Sequence, residues 1–333
     1  MKVAIVGLGY WGPNLLRNFN ALSNCNVQTV VDKREGLFGK FQALYNHITF
    51  TPNFDDVIND DEIDAVVIAT PVYSHHPLAK AALQAGKHVL VEKPMTSTSK
   101  EADELISIAE EKGLVLMVDH TFLYTGAVMK IKELVGSGEL GKLRYFDSTR
   151  INLGLFQADI NVLWDLAPHD ISILKFIFNE KPVSVQAVGA SHTNNGLENM
   201  AYLTVNFESG MIAHFNCSWT SPVKVRQTLI GGDKKMVLYN DMEPSEKIKL
   251  YDFGYDVKTN EEKNKIIADY RTGDILVPKL NSTEALLGVA KDFVNAINTG
   301  DKPKSDSELG REVVRILEAS QESLKQNGAE IKL

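Results

Sequence analysis

Cysteine is nearly absent: two residues in 333, Cys25 and Cys217, distant in sequence and outside any CxxC motif. At most one bridge could form, so a disulfide scaffold is excluded, and both read as buried thiols. Long apolar runs are absent too. No stretch reaches the roughly 20 apolar residues of a membrane-spanning helix, so no membrane partner is expected. Basic clusters are also missing, because acidic residues outnumber basic ones 43 to 35 and the formal net charge is −8. Nucleic-acid binding draws most of its affinity from a basic surface, and the dipeptide Lys33-Arg34 is too short to make one. The opening residues enter a strand directly, without the basic segment, apolar stretch and small-residue site of a secretory signal. The expected compartment is the cytoplasm. His47, His75, His76, His88, His192 and His214 have no metal-ligand spacing, so no metal is expected.

What remains is an ordinary globular composition, 44% hydrophobic and 23% charged, at a length that suits two domains of roughly 150 residues. Residues 1–120 alternate short apolar runs with helix-like segments, the pattern of a parallel sheet covered on both faces. Strands are expected at Val3–Val6, Val27–Val31, Ala65–Ala69, Val89–Val91 and Leu114–Val118. Helices are expected near Pro13–Leu22, at His76–Ala85 ending at Gly86, and at Lys100–Lys112 ending at Gly113, where glycine accepts a left-handed cap.

Past residue 120 the pattern becomes that of an α+β domain, residues 121–333, around an open and mainly antiparallel sheet. A helix near Ala127–Val135 precedes β-rich runs at Leu143–Ile151, Val183–Ser191, Ala201–Phe207, Met211–Trp219, Val225–Ile230 and Met236–Tyr239. Tyr202, Thr204 and Asn206 alternate with Leu203, Val205 and Phe207, as in a sheet with one solvated face. Short turns such as Glu208–Gly210 imply antiparallel neighbours. Asp241–Lys279 reads as a charged excursion from the sheet. Helices at Glu284–Ile297 and Glu308–Lys325 close the chain, the last able to pack back on the first domain.

Gly7-Leu8-Gly9-Tyr10-Trp11-Gly12 is a GxGxxG motif set between a strand and a helix. Gly7 permits the tight turn, Gly9 lets backbone approach a pyrophosphate, and Gly12 allows close packing of helix on strand. The helix N-terminus adds aligned N–H donors. Asp32 ends the second strand, where a carboxylate can take the ribose hydroxyls of NAD and would repel a 2′-phosphate. Lys33 and Arg34 leave NADP open, since they could pair with that phosphate if Asp32 turned away.

Glu92-Lys93-Pro94 directly follows Val89–Val91, the fourth expected strand of the parallel sheet, at its carboxyl end, where ligands of such sheets bind. A lysine there can move a proton if burial or a neighbouring cation lowers its pKa, and the proline allows a cis bond. Asp165 and His169 share one face if a single helix holds both. Pro168 would then remove the hydrogen bond to Trp164, so the alternative is a helix that begins at Pro168 and leaves Asp165 in the approach.

At these motifs the chain resembles the glucose–fructose oxidoreductase / inositol dehydrogenase family (Gfo/Idh/MocA). The matching pieces are Gly7–Gly12, Thr70-Pro71 with His75, Glu92-Lys93-Pro94, Asp165 with His169, and the Gly310–Ser323 helix. The resemblance implies a Rossmann domain followed by an α+β domain. Its open sheet would form the interface of a homodimer or homotetramer, and a sugar would lie between sheet and nicotinamide. It implies Lys93, Asp165 and His169 as the catalytic set, with His169 accepting the hydroxyl proton and Lys93 stabilising the alkoxide. It implies cofactor contacts from Gly7, Gly9, Tyr10, Trp11, Gly12, Asp32, Lys33, Arg34, Thr70, Pro71, His75, Glu92 and Lys93. Pro168 is a departure, since many members carry glycine or valine before the histidine.

His120–Tyr124, Arg150–Gly154 and Asn161–Asp170 are similar to the branch that acts on nucleotide-linked sugars, such as UDP-N-acetylglucosamine 3-dehydrogenases. That similarity implies substrate contacts from Lys93, His120, Tyr124, Arg150, Asn152, Trp164 and His169, although Arg150 and Asn152 read equally as polar strand-end residues. The expected reaction is hydride transfer between NAD, or NADP, and a secondary carbinol of a sugar, C3 of a nucleotide-activated hexose. An inositol or free-sugar dehydrogenase, a NAD-dependent glycosidase and a non-catalytic NAD-binding regulator are the alternatives.

Overall fold

The structure is a computed structural model that describes residues 1–154, 156–157, 159–257 and 268–333. It divides into two compact units, Met1–Tyr124 with Thr283–Arg315, and Thr125–Ser282 with Ile316–Leu333. A cut at residue 120 would therefore leave the segment 283–315 with the wrong neighbours.

In the first unit, β1 (Lys2–Val6), β2 (Asn26–Val31), β3 (Thr49–Thr51), β4 (Ala65–Ile68), β5 (His88–Glu92) and β6 (Leu116–Asp119) form one parallel sheet in the order β3-β2-β1-β4-β5-β6. This is the doubly wound order that reverses direction between β1 and β4 and opens a crevice at their carboxyl ends. The core strands read as unbroken apolar runs because helices cover both faces: Val3, Ala4, Ile5, Val66, Val67, Val89, Leu90 and Val91 are fully buried. The covering helices are α1 (Gly12–Asn20), the short α2 (Phe38–Gln42) and α3 (Asp55–Ile58), α4 (His75–Gln84) and α5 (Ser99–Lys112).

Thr98 and Glu101 close a reciprocal capping box at the start of α5, and Gly113 ends it at φ 64°. β3, with three residues and one of them buried, falls below what periodicity can detect.

The remaining part of this unit arrives late in the chain. Of the next helices, α6 (Gly126–Gly136) and α7 (Val162–Ile177) belong to the second unit, and α8 (Ala285–Thr299) returns to the first. Phe293 of α8 meets Phe19 of α1 edge to face at 6.2 Å, within a cluster that includes Leu15, Leu16, Val289 and Ala290. Arg17 and Glu284 add a bidentate pair at 3.0 and 2.5 Å. Further on, Ser305 carries the backbone of β6, with Val118 N–H donating to its carbonyl at 3.0 Å.

The second unit is built on a nine-stranded sheet. Its strands are β7 (Leu143–Leu153), β8 (Pro182–Ala190), β9 (Met200–Phe207), β10 (Ile212–Ser218), β11 (Thr220–Gly232), β12 (Met236–Asn240), β13 (Ile248–Tyr251), β16 (Ile275–Leu276) and β17 (Ile331–Lys332). All neighbours pair antiparallel except β7 and β10, which are parallel. Ala201, Leu203, Val205 and Phe207 of β9 are buried, while Tyr202 is 40% exposed, so the expected alternation holds. α7 packs on β7, β9 and β10, and α6 packs on α7.

The segment 241–279 is not simply an excursion. β13 extends the sheet, β14 (Gly254–Val257) and β15 (Ala268–Arg271) form a separate two-stranded sheet, and β16 rejoins β13. Ile248 and Leu250 are buried on alternate positions between charged neighbours, which hid this strand. Residues 258–267 of that reading lie outside the described residues. The last helix, α9 (Ser307–Lys325), has its first half in one unit and its second half in the other. Among the described residues no helix is long and apolar enough to cross a membrane.

If residues 283–315 are part of the first unit's core, Phe293→Ala leaves a cavity against Phe19 and costs about 3–5 kcal/mol. Chemical denaturation of the variant should read that loss.

Candidate functional site

The turn between β1 and α1 is a backbone surface. Gly7 has φ +103°, its N–H donates to the Val31 carbonyl at 2.7 Å, and a Cβ there would stand 2.5 Å from the Ala69 carbonyl oxygen. A Cβ on Gly12 would run into the Gly7 carbonyl oxygen, whereas one on Gly9 would meet nothing within 4 Å. So Gly7 and Gly12 are required by the fold, and Gly9 leaves an open approach to the backbone. This fits a dinucleotide pyrophosphate at the N-terminus of α1. Tyr10 and Trp11 are exposed, with ring centroids 5.3 Å apart and edge to face.

Asp32 is buried beside this turn. Its Oδ2 accepts from Leu8 N–H at 2.7 Å and Arg34 Nη2 at 2.8 Å, while its Oδ1 accepts from the backbone N–H and Nε of Arg34, both at 2.9 Å. Burial alone would raise the carboxyl pKa. The Arg34 guanidinium and the backbone donors outweigh it and hold the group down at about 2. The carboxylate suits ribose hydroxyls, and the largely exposed Arg34 is the group in reach of a 2′-phosphate.

Thr70, Pro71 and His75 follow β4. His75 is 1% exposed, and its ring nitrogens face the Pro94 carbonyl at 2.9 Å and the Thr70 carbonyl at 2.7 Å. Burial, opposed by those carbonyls and reinforced by Lys93, lowers its pKa. His75 thus fastens the loop after β4 to the loop after β5. The Lys93–Pro94 bond is cis.

Glu92 and Asp119 end β5 and β6 side by side, and His120 follows. Both His120 ring nitrogens are buried without a hydrogen-bond partner among the described residues, and burial together with the Lys93 charge pushes its pKa down to about 3. The end of β6 thus holds a neutral, buried imidazole. Tyr124 is different: its hydroxyl donates to Asp292 Oδ2 at 2.8 Å, which occupies the group expected to meet substrate.

In the second unit, α7 settles the question left by Pro168. The helix is continuous from Val162 to Ile177 with Pro168 inside it, so Asp165 and His169 share one face and the helix does not begin at the proline. Asn161 caps it by accepting Trp164 N–H at 3.2 Å, and the Asn161 amide also donates to Glu198 and Gln321. Trp219 Nε1 donates to Asp165 Oδ2 at 3.0 Å.

Asp170, next to His169, takes a bidentate pair from Arg150 of β7 at 2.8 and 2.7 Å, with both side chains buried. Arg150 therefore ties α7 to the sheet and does not present its guanidinium to solvent, contrary to the substrate role expected for it. Trp164, His169 and Asn152 are half-buried. The sequence reading missed Asp119, Asp170, Asn161 and Trp219. Only Asp119 carried a usable signal, its position at the carboxyl end of a parallel strand.

Two predictions follow from these charges. Arg150→Met strands the Asp170 charge in the interior and should cost about 3–5 kcal/mol, while Arg150→Met with Asp170→Leu should recover most of it. Asp32 has its pKa held below the ordinary carboxyl value, so it stabilises the fold above about pH 4, and that contribution is lost as pH falls toward 2. Acid unfolding of Asp32→Asn should accordingly be shallower between those limits.

Comparison with known proteins agrees with this geometry. Residues 1–120 match the oxidoreductase family with NAD-binding Rossmann fold, and residues 128–238 match the GFO/IDH/MocA C-terminal domain. The chain is 32% identical over 222 residues to UDP-N-acetylglucosamine 3-dehydrogenase of Acidithiobacillus ferrooxidans, covering 66% of this chain and 67% of that relative. A solved structure of that dehydrogenase superposes with a TM-score of 0.82 at 25% identity, covering 98% of each chain. The NADP-dependent scyllo-inositol 2-dehydrogenase IolW of Bacillus subtilis is 24% identical, over 98% of this chain and 94% of its own.

Proposed function

The chain belongs to the GFO/IDH/MocA oxidoreductase family, with an NAD-binding Rossmann domain, and on that premise we propose that it oxidises or reduces C3 of a nucleotide-activated hexose such as UDP-N-acetylglucosamine. The observation that carries the reading is Lys93 at the carboxyl end of β5, beside the crevice of an intact dinucleotide cradle. The similarity to UDP-N-acetylglucosamine 3-dehydrogenase supports the choice of sugar.

Bound NAD supplies the hydride acceptor at the carbinol carbon. The hydroxyl proton goes to the imidazole of His169, which shares a helical face with Asp165. Trp219 fixes Asp165 in turn by its Nε1 donor. The Lys93 ammonium stabilises the negative charge that develops on the substrate oxygen. His120 and Asn152 serve as sugar contacts, and the open sheet of the second unit serves as a homo-oligomer interface. The similarity to scyllo-inositol 2-dehydrogenase favours inositol as the second substrate class.

The test is incubation of purified protein with NAD or NADP and a panel of UDP-sugars, free hexoses and inositols, followed by absorbance and product mass. A parallel reaction contains a 2-oxoacid, to reveal a cofactor that stays bound and is reoxidised in place. Loss of two mass units from UDP-N-acetylglucosamine supports the reading, and turnover confined to inositols replaces it with the second. Lys93→Met and His169→Asn should each lower kcat by roughly 100-fold, and undiminished turnover in both variants removes the assignment.

A further inference from the structure

Lys93 stands beside a pair of buried carboxyl groups. β5 and β6 pair in parallel with Glu92 opposite Asp119, and the two side chains are 7% and 1% exposed. Glu92 Oε2 accepts the Lys93 backbone N–H at 3.1 Å, and Asp119 Oδ1 accepts the Thr121 hydroxyl at 2.6 Å. Asp119 Oδ2 is buried with no hydrogen-bond partner among the described residues. An ionised carboxylate oxygen in that position needs a donor.

The surrounding charges define the balance. Lys93 is the cation that acts on both carboxyls. His120 after β6 has its pKa lowered to about 3 by burial and by Lys93, so it is neutral and brings no positive charge, and burial lowers the His75 pKa against the opposing Pro94 and Thr70 carbonyls. Tyr124 has its pKa raised by burial and by Asp292, so it is a neutral phenol, and Asp292 itself is paired with Lys304. Two adjacent carboxylates with one ammonium in the interior leave an uncompensated negative charge, and like charges this close retain a proton.

We propose that Glu92 and Asp119 hold one proton between them, carried on Glu92, and that the resulting single negative charge makes them positioning residues for the Lys93 ammonium. The proton on Glu92 supplies the donor that Asp119 Oδ2 lacks. Burial, then the Asp119 charge, raises the Glu92 pKa well above the ordinary carboxyl range. Asp119 is raised by burial to about 6, with the Thr121 hydroxyl, Glu92 and Lys93 opposing that rise. Proton sharing rests on the local geometry alone, and the positioning role rests on the reading of Lys93 given above.

The direct test is infrared titration of the full-length protein, without substrate, between pH 5 and 9. A protonated carboxylic-acid C=O band should persist above pH 7 and vanish in Glu92→Gln. In Asp119→Asn, where Glu92 loses its like-charged neighbour, the band should titrate at lower pH. If Glu92→Gln does not fold, carbon NMR of wild-type protein labelled at glutamate carboxyls should find one carbon that titrates above pH 7. Absence of any protonated carboxyl above pH 6, or a band that survives Glu92→Gln, overturns the proposal.

The role toward Lys93 has its own readout. Glu92→Gln combined with Asp119→Asn should move the basic limb of the kcat/KM profile down by about one pH unit, because the ammonium loses its counter-charge, whereas Asp119→Asn alone should leave it in place, since Glu92 then ionises instead. Reduced activity of the double variant with an unmoved limb means that the carboxyl pair is merely structural. A persistent band in a protein inactive on every sugar would leave the shared proton standing and remove the functional reading.

Discussion

Three strands of the first unit end at one point, held there by backbone contacts that admit no side chain. Gly7 donates to the Val31 carbonyl, Ala69 N–H donates to the Val6 carbonyl, and the Cα of Gly7 lies against the carbonyl of Ala69. The ends of β1, β2 and β4 are thereby fixed together. That convergence brings the Leu8 N–H onto Asp32 and sets the loop of Thr70 beside the glycine turn. His75 then passes the constraint from the Thr70 loop to Pro94, and so to the loop that carries Lys93. The cradle for a dinucleotide and the candidate catalytic lysine are parts of one backbone arrangement.

The second unit meets a different demand, that of holding a helix with a proline in its middle. Pro168 has no N–H to donate to the Trp164 carbonyl, so one backbone hydrogen bond is missing in the turn that carries Asp165 and His169, where the proposed chemistry needs a fixed geometry. The Asn161 cap, the Trp219–Asp165 bond and the Arg150–Asp170 pair flank the gap. A buried ion pair contributes little net stability compared with an apolar replacement, but breaking it is costly. Its effect here is to fix which face of α7 lies on the sheet.

The parallel strands were legible because strands buried on both faces leave continuous apolar runs, and the glycine turn because its spacing is a steric requirement. The alternation in β9 was legible for the same kind of reason. What escaped was pairing at a distance. Glu92 meets Asp119 only through the register of β5 on β6, and Arg150 meets Asp170 only because α7 crosses the sheet. The pairings themselves carry no local signal. Arg150 therefore read equally as a substrate contact or a polar strand-end residue, and its buried pairing with Asp170 was not legible. The same holds for Tyr124, whose partner Asp292 comes from a segment far along the chain.

The central claim is hydride transfer from a sugar carbinol to the bound dinucleotide. The most direct measurement uses UDP-N-acetylglucosamine carrying deuterium on C3, incubated with the enzyme and NAD, with the reduced cofactor isolated for mass analysis. The account predicts one deuterium in the reduced cofactor for each ketosugar formed. Deuterium retained on the sugar, or released to water with no reduced cofactor formed, would contradict it.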